Sequence, residues 1–278
     1  MQQQPIVAAD VLEALLLALG TADTAVIGQA EADLRRALTK PAFIGDLLDR
    51  LQRSPNAQVR QLAAVLMRRK VGGHWSKLPP PVQAQLKASL LTHLAAEPER
   101  LVRRATAGVA AVVAKHTLPK GEWAELLAFV TACAADAADA GKRELAMVLL
   151  QSLLESEAVV ECAARAICRN SYRNSFGARS RYRRRRAAPS HTTHPLLRRT
   201  MRAHYASLQQ LLLTALAEQR GPVARAALAA VGSWASTLSD EADVLLLRPL
   251  VPPMLAASSA AIDEGDEEPA QTTCEVRC

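Results

Sequence analysis

Apolar and small residues recur along this chain with the spacing of one face of a helix. Counting from Val59, they follow at the third, fourth, seventh and eighth positions, and the same offsets hold from Val102, Lys142 and Val223. A stripe of this kind is typical of an amphipathic helix with 3.6 residues per turn. The pattern therefore predicts four helices, each with one apolar side.

The four stripes also repeat at a regular interval. Their first residues lie 43, 40 and 81 residues apart, and the last interval is close to two periods. HEAT and armadillo repeats have periods of ~40–47 residues. The fourth position after each anchor is always small, which lets a neighbouring helix approach closely. These small residues are Ala63, Thr106, Ala146 and Ala227.

A first helix is predicted before each of three stripes, and proline marks where it begins. Proline suits the first helical turn because its missing N–H would have no intrahelical partner there. The three helices are predicted from Pro41 to about Arg53, from Pro79 to Leu94, and from Pro119 past Val130. A further first helix is predicted over 241–257 without a second helix after it. We expect its apolar side to be exposed and to favour marginal stability or self-association.

Paired helices at this period predict an all-α fold, a right-handed α-α superhelix of the HEAT or armadillo type. Aromatic residues make up only 3% of the chain, and Ala and Leu dominate, which favours packed helices over a β-sandwich. An ordinary helical bundle is the alternative, and four copies of one period disfavour it. A solenoid presents a long concave surface that binds other macromolecules.

One stretch of the chain breaks the repeat and carries most of its positive charge. Residues 158–197 lose helical periodicity, and 161–205 hold twelve arginines against the single acid Glu161. That stretch carries +11, and the whole-chain charge of +7 leaves about −4 for the remainder. We predict a disordered arginine-rich insertion over 158–197, helical repeats over 6–157 and 198–262, and a disordered tail over 263–278.

The chain lacks the motifs on which many enzyme sites are built. No G-x-x-x-x-G-K-[ST], G-x-G-x-x-G, H-E-x-x-H or G-x-S-x-G occurs. The spacings of Cys162, Cys168, His191 and His194 do not match those of zinc fingers. The sequence therefore predicts a non-enzymatic protein that needs no cofactor or metal.

The N-terminal residues and the number of cysteines indicate in which cellular compartment the protein is found. Residues 1–5 lack the basic region of a secretory signal, and Asp10 and Glu13 interrupt the apolar stretch after them. No apolar run approaches the ~20 residues of a membrane span. The five cysteines are an odd number, which favours free thiols in a reducing compartment. We expect the cytoplasm and the nucleus, without membrane association.

Four segments carry a family resemblance. They are, in order, Ala30-Glu31-x-x-Leu34, Pro41-x-Phe43-x-x-x-Leu47-Leu48, Val59-Arg60-Gln61-Leu62-Ala63-Ala64-Val65-Leu66 and Arg69-Lys70-Val71-x-x-x-Trp75. Together they resemble the N-terminal domain of the importin-β family of nuclear transport receptors. Within that family, the stretches 60–70 and 143–156 are most similar to the importin-4 group. The similarity covers about residues 6–157 and 198–262.

The resemblance implies a receptor that carries cargo through nuclear pores and releases it on binding the GTP form of the small GTPase Ran. In this family the second helices of the N-terminal repeats bind Ran. Here those helices would lie at about 23–38, 56–72, 99–115 and 139–155. The resemblance places a partner against polar residues on them, namely Asp33, Arg36, Arg68, Lys70 and Arg104. For each, the alternative is a solvated charge on a helix surface.

Basic cargo proteins and nucleoporins are the further partners that the resemblance implies. Known family members are several-fold longer than this chain, and their later repeats take part in cargo selection and in most contacts with pore proteins. We therefore expect these two interactions to be retained only in part here.

A second function remains open, in which a HEAT-repeat scaffold uses the arginine-rich insertion to bind RNA or acidic proteins. Arginines neutralise phosphates, and the interleaved Tyr172, Phe176 and Tyr182 would stack on bases. The candidate contacts are Arg181, Arg183, Arg184, Arg185 and Arg186. A nuclear localisation signal or a solvated basic loop explains the same run, so nucleic acid is the less favoured partner.

Overall fold

The computed structural model describes residues 5–155, 209–237, 244–266 and 273, and these ranges contain helices and turns but no β-strand. The chain divides into two compact units, Met1–Leu153 and Leu154–Cys278. The predictions for the insertion, including Arg181 and 183–186, lie outside the described residues. So do the two cysteines and two histidines whose spacing disfavours zinc, and most of the predicted tail.

The described residues of the first unit form eight helices, and consecutive ones are joined by turns short enough to make them antiparallel neighbours. They are α1 (Ala9–Ala18), α2 (Thr24–Ala37), α3 (Phe43–Arg53), α4 (Ala57–His74), α5 (Pro80–Ala96), α6 (Arg100–Thr117), α7 (Ala124–Ala135) and α8 (Ala140–Glu155). The predicted second helices are therefore α2, α4, α6 and α8, confirmed to within two residues at each end. None of the helices in the described ranges is long and apolar enough to cross a membrane.

Side-chain caps and prolines fix where these helices begin. The Asp23 Oδ1 accepts the N–H of Ala25 at 2.8 Å, and the Asn56 Oδ1 accepts the N–H of Gln58 at 2.8 Å, so α2 and α4 have capped N-termini. Helix α5 begins at Pro80, one residue after the predicted Pro79, which is its N-cap. These local signals are all visible in the sequence.

Two predicted starts are wrong. Helix α3 begins at Phe43, because Pro41 lies in a preceding turn whose carbonyl accepts the N–H of Ile44. Helix α7 begins at Ala124, because Pro119 lies in a 3₁₀ turn, Leu118–Lys120, that ends at Gly121 with φ 70°. A residue at positive φ interrupts a right-handed helix, and glycine takes that conformation without a steric penalty.

The small residues of the repeat lie at the helix contacts, as predicted. Ala63, Thr106, Ala146 and Ala227 are each 0% exposed. Helices α4 and α6 pack side by side, and a Cβ added at Gly72 would lie 3.2 Å from the Val112 Cγ1. One turn further along, Trp75 stacks on His116 with ring centroids 6.3 Å apart. Both contacts join residues one repeat apart, so α4 and α6 run parallel, as second helices of stacked pairs do.

The second unit contains the same kinds of element. Residues 209–216 are helical, and α9 (Gly221–Thr237), a 3₁₀ helix (Leu245–Leu250) and α10 (Val251–Asp263) follow. The prediction of one helix over 241–257 is wrong in its bounds. Pro249 lies within the 3₁₀ segment, and proline cannot donate the i→i−4 hydrogen bond, so the α-helix starts at Val251. Leu255 and Ile262 of α10 are 57% and 51% exposed.

Candidate protein-binding surface

The five polar residues predicted to face a partner all lie on second helices of the first unit. Asp33 and Arg36 are on α2, Arg68 and Lys70 on α4, and Arg104 on α6. The four basic residues are exposed and Asp33 is half-buried. The surroundings of these side chains divide them into two groups.

On α2, Asp33 and Arg36 are bound to each other. The Arg36 guanidinium donates to the Asp33 carboxylate, and the Gln29 Nε2 donates to the same carboxylate at 3.1 Å. The hydrogen bond from Gln29, and then that from Arg36, lower the pKa of Asp33. Asp33 therefore stays ionised at neutral pH, and its charge offsets that of Arg36.

On α4, Arg68 extends across the neighbouring helix at Gly108. A Cβ added at Gly108 would lie 2.9 Å from the Arg68 Cδ and 3.2 Å from both Nε and Nη1. The missing side chain thus provides the space that the arginine fills. Arg104 lies one turn before Gly108 on α6, since residues four apart share a helix face. The structure therefore brings Arg68 and Arg104 to one surface.

Two further arginines of α6 were missed in the sequence analysis. Arg100 donates from Nε to the Glu144 Oε1 at 2.5 Å, and the Glu144 side chain is only 8% exposed. The Arg103 Nη1 would lie 3.3 Å from a Cβ at Gly141, so it extends over the start of α8. A shallow pocket lies between α6 and α8, lined by Arg100, Arg103, Arg104, Glu144, Leu145 and Val148.

The open positive charge of this surface belongs to Arg68, Arg103 and Arg104, which we call the arginine cluster. Within the described residues, their side chains make no hydrogen bond or ion pair. Lys70 lies two residues beyond Arg68, about 200° around the helix, and so on a different side of α4. Lys70 is therefore not counted in the cluster, and neither is the Asp33–Arg36 pair on α2, whose charges offset each other.

The signal for the missed arginines is present in the sequence. Positions 100–104 read Arg-Leu-Val-Arg-Arg, which places three guanidinium groups within two helical turns. Gly108 lies inside the same helix, where glycine is disfavoured, and an isolated helical glycine often marks a close approach. Tertiary packing decides which side chain makes that approach, so the sequence did not show that Arg68 lies over Gly108.

A buried ion pair anchors the N-terminal ends of α4 and α6. Arg60 donates from Nε and Nη2 to the two carboxylate oxygens of Glu97, both at 2.9 Å, and from Nη1 to the carbonyls of Ser54 and Pro55. Burial raises the pKa of Glu97, but the bonds from Arg60 and from the Glu99 N–H outweigh it, and the net pKa is lowered. Glu97 is therefore ionised and fully engaged at neutral pH.

His93 completes this buried group. Its Nε2 lies 3.2 Å from the Glu97 Oε2, but the two atoms are not aligned as a hydrogen bond. Burial lowers the pKa of His93, and the attraction of Glu97 does not compensate. The imidazole is therefore neutral at physiological pH, and the group is a structural anchor for the turn that leads into α6.

Known protein families match the first unit. Residues 30–96 match the importin-β N-terminal domain, and residues 98–159 match the family described as IPO5-like, TPR repeats. The two matches together run from the middle of α2 to the end of α8. They include the arginine cluster and the buried ion pair.

Curated relatives have the same family names. A probable importin subunit beta-4 from Schizosaccharomyces pombe is 37% identical over 135 residues, which cover 48% of this chain and 13% of that protein. Importin-4 from Mus musculus is 29% identical over 146 residues, covering 52% of this chain and 13% of that protein. The matched part of the chain thus spans about an eighth of the length of these relatives.

Solved structures confirm the predicted fold. Kap121p bound to RanGTP matches with a TM-score of 0.66 at 17% identity, over 96% of this chain and 21% of Kap121p. Kap121p alone matches with a TM-score of 0.65. At this identity the likeness establishes the fold, an all-α solenoid of the HEAT type, as the repeat period predicted.

Proposed function

We propose that this chain, whose residues 30–96 match the importin-β N-terminal domain, acts in protein import into the nucleus by binding Ran in its GTP form. The proposed contact surface is formed by α2, α4, α6 and α8. The observation that carries the proposal is the overlap between the two family matches and these second helices. Their exposed basic residues supply polar contacts for a protein partner.

The solved relatives suggest the classes of partner. Kap121p has been solved with RanGTP, with Nup53p and with Pho4p. By analogy, Ran-GTP, nucleoporins and basic cargo proteins are the proposed partners of this chain. Its curated relatives are named as importins. We therefore propose that it acts by recognition alone, without cofactor, in the cytoplasm and the nucleus.

The nucleotide dependence of Ran binding tests this function. The full chain is immobilised and offered Ran loaded with a non-hydrolysable GTP analogue or with GDP. We expect the GTP form to bind at least about tenfold more tightly, a difference of 1.4 kcal/mol. Retention that ignores the nucleotide would refute the proposal.

Charge-reversal variants locate the contact. Arg68→Glu and Arg104→Glu should each weaken binding of the GTP form, whereas Arg53→Ala on the first helix α3 should leave it unchanged, because α3 is outside the proposed surface. If all three variants bind the GTP form of Ran as tightly as the unchanged chain does, Ran uses a different surface.

The scaffold alternative is not favoured, because the family matches point to transport receptors. It is tested by deleting residues 161–195 and measuring retention of RNA. Unchanged retention would exclude the arginine-rich stretch as an RNA-binding segment. If the deletion abolishes RNA retention and leaves Ran binding unchanged, the two activities belong to different parts of the chain.

A further inference from the structure

We infer that the arginine cluster recognises an acidic segment of a partner protein, one that pairs carboxylates with an apolar side chain. The inference rests on the proposed function in one respect, that a protein partner contacts the second helices. It adds the chemistry of that contact. Four observations carry it: unpaired charge, arranged guanidinium groups, neighbouring acids that are already engaged, and apolar side chains beside the arginines.

The first observation is that the charge is unpaired. Arg68, Arg103 and Arg104 have no ion-pair partner among the described residues, whereas Arg60 and Arg100 on the same two helices are both bound to glutamates. Arginine presents a planar fork of donors that binds carboxylates through two parallel hydrogen bonds. Three such forks on one surface leave donors for several carboxylates.

The second observation is that packing arranges two of these side chains. Arg68 lies in the space left by Gly108, with its Cδ 2.9 Å from the position of the missing Cβ. Arg103 lies over Gly141, with Nη1 3.3 Å from the corresponding position. Each guanidinium is thereby directed towards α6 or α8 instead of sweeping through solvent. Arrangement before binding reduces the entropy lost when a partner docks.

The third observation is that nearby acids are already engaged. Glu144 accepts from Arg100, and Glu97 accepts from Arg60. Asp139 lies beside Gly141 and accepts the N–H of Lys142 at 3.1 Å, with the Lys142 ammonium 3.8 Å from its other oxygen. None of these carboxylates pairs with the arginine cluster, so its charge is left to attract an external anion.

The fourth observation separates an acidic protein from a nucleic acid. Leu101 lies one turn before Arg104 and is 63% exposed, and Leu145 and Val148 line the pocket under the arginines. A phosphate backbone has no apolar group to place on these side chains. A peptide that alternates acidic and apolar residues can pair with the arginines and also pack on the apolar side chains. The buried apolar contact then adds to the charged ones.

The test measures binding of designed peptides to the full chain by fluorescence anisotropy at low salt. One peptide of about eight residues contains Asp and Glu with a central Leu. A second has Asn and Gln in place of the acids, and a third has Ala in place of Leu. We expect the acidic peptide to bind about tenfold or more tightly than the neutral one, with an affinity that falls as salt rises.

Variants tie the binding to the cluster. The triple variant Arg68→Ala, Arg103→Ala, Arg104→Ala should lower the affinity for the acidic peptide about tenfold or more. Arg35→Ala on α2 removes an exposed charge elsewhere and should have no effect. Leu101→Ala should weaken the Leu peptide but not the Ala peptide, which isolates the apolar contact.

A pair of glycine variants tests the arrangement without removing charge. Gly108→Ala places a methyl group where Arg68 lies, and should weaken the acidic peptide about twofold to threefold by displacing that side chain. Gly28→Ala is the matched control, because a Cβ there meets nothing within 4 Å. Both changes favour the helix, so neither is expected to unfold the protein.

Residues 179–186 are also rich in arginine, so the position of the bound peptide is measured as well. A photoreactive group next to the peptide's Leu should cross-link to α6 and α8. Cross-links confined to 161–205 would overturn the inference. So would equal affinity for acidic and neutral peptides, or a uridylate oligonucleotide that binds the cluster and displaces the peptide.

The two proposals fail in distinguishable ways. If Ran binding ignores the nucleotide while the acidic peptide still requires the cluster, the proposed function is wrong and the surface inference stands. If Ran-GTP binds normally and the acidic and neutral peptides bind with equal affinity, the surface inference is wrong and the proposed function stands.

Discussion

Arg60 and Arg68 lie two turns apart on α4, yet the structure uses them in opposite ways. The Arg60 side chain is 12% exposed and donates to both oxygens of a glutamate that is itself 2% exposed. The Arg68 side chain is exposed, pairs with no acid among the described residues, and extends over a glycine on α6. The residue type is the same, and the difference lies in the surroundings.

The comparison indicates how one helix serves two purposes. At its N-terminal end, α4 is tied to the turn before α6 by the Arg60–Glu97 pair, which fixes one repeat against the next. In its middle, the same helix presents a guanidinium whose charge is unused inside the fold. An arginine that completes a buried network is expected to matter for stability, whereas one that lacks a partner is expected to matter for binding.

The largest expected effect is the loss of the buried pair. Arg60→Met should destabilise the first unit by about 3 kcal/mol, because it leaves the Glu97 carboxylate buried without its partner. Hydrogen exchange of amides in α4 and α6 measures this as a lower free energy of opening. The exposed comparison, Arg68→Met, should change the same quantity by less than about 0.5 kcal/mol.

A double variant sharpens the distinction. Arg60→Met combined with Glu97→Met removes both charges and should restore much of the lost stability, because replacing a whole buried pair by apolar residues is often close to neutral. If the double variant were as unstable as the sum of the single ones, the loss would come from packing of the arginine stem and not from an unpaired charge.

The repeat architecture was predictable because it depends on local periodicity. The stripes beginning at Val59, Val102 and Val223 and the small residues four positions later are enough to identify the second helices and their contacts. Capping residues such as Asn56 set helix starts through bonds two residues away. The stripes and the caps each involve residues that are close together in the sequence, so a short stretch of sequence is enough to predict them.

The sequence predictions failed where an unusual local backbone conformation sets a helix start, or where a residue far along the chain sets a side-chain contact. Pro119 satisfies the rule for a first helical residue, but Gly121 at φ 70° ends its turn and delays α7 to Ala124. The partner of Arg60 is 37 residues away, and Arg68 meets Gly108 40 residues away. Pairings across a repeat depend on how two helices are rotated against each other, which periodicity alone does not specify.

A smaller effect is expected from acid, through His93. Burial places the pKa of His93 below its ordinary value of 6.5, so as the pH falls below 6.5 the unfolded chain takes up a proton before the folded one does. The free energy of unfolding should therefore decline from about pH 6.5 downwards. His93→Gln should make this decline shallower, measured by urea unfolding at a series of pH values.

Glu97 acts in a different pH range and serves as the internal check. Its pKa lies below the ordinary value of 4.5, so its contribution is present above pH 4.5 and is lost as the pH falls further through the folded pKa. Glu97→Gln should thus alter the profile below about pH 4.5 and leave the His93 step in place. If the free energy of unfolding declines equally near pH 6 in wild type and His93→Gln, the decline does not come from His93.

The smallest effect is expected on α2, where the exposed Arg36 is already paired with the half-buried Asp33. Arg36→Ala removes a side chain that is 79% exposed, and exposed ion pairs contribute little to stability. The melting temperature should therefore not change measurably. Affinity for Ran-GTP should fall less than in Arg68→Glu, because the Asp33–Arg36 pair presents almost no net charge to a partner. A larger loss for Arg36→Ala than for Arg68→Glu would place the main contact on α2, and would mean that a paired arginine, not an unpaired one, marks the binding surface.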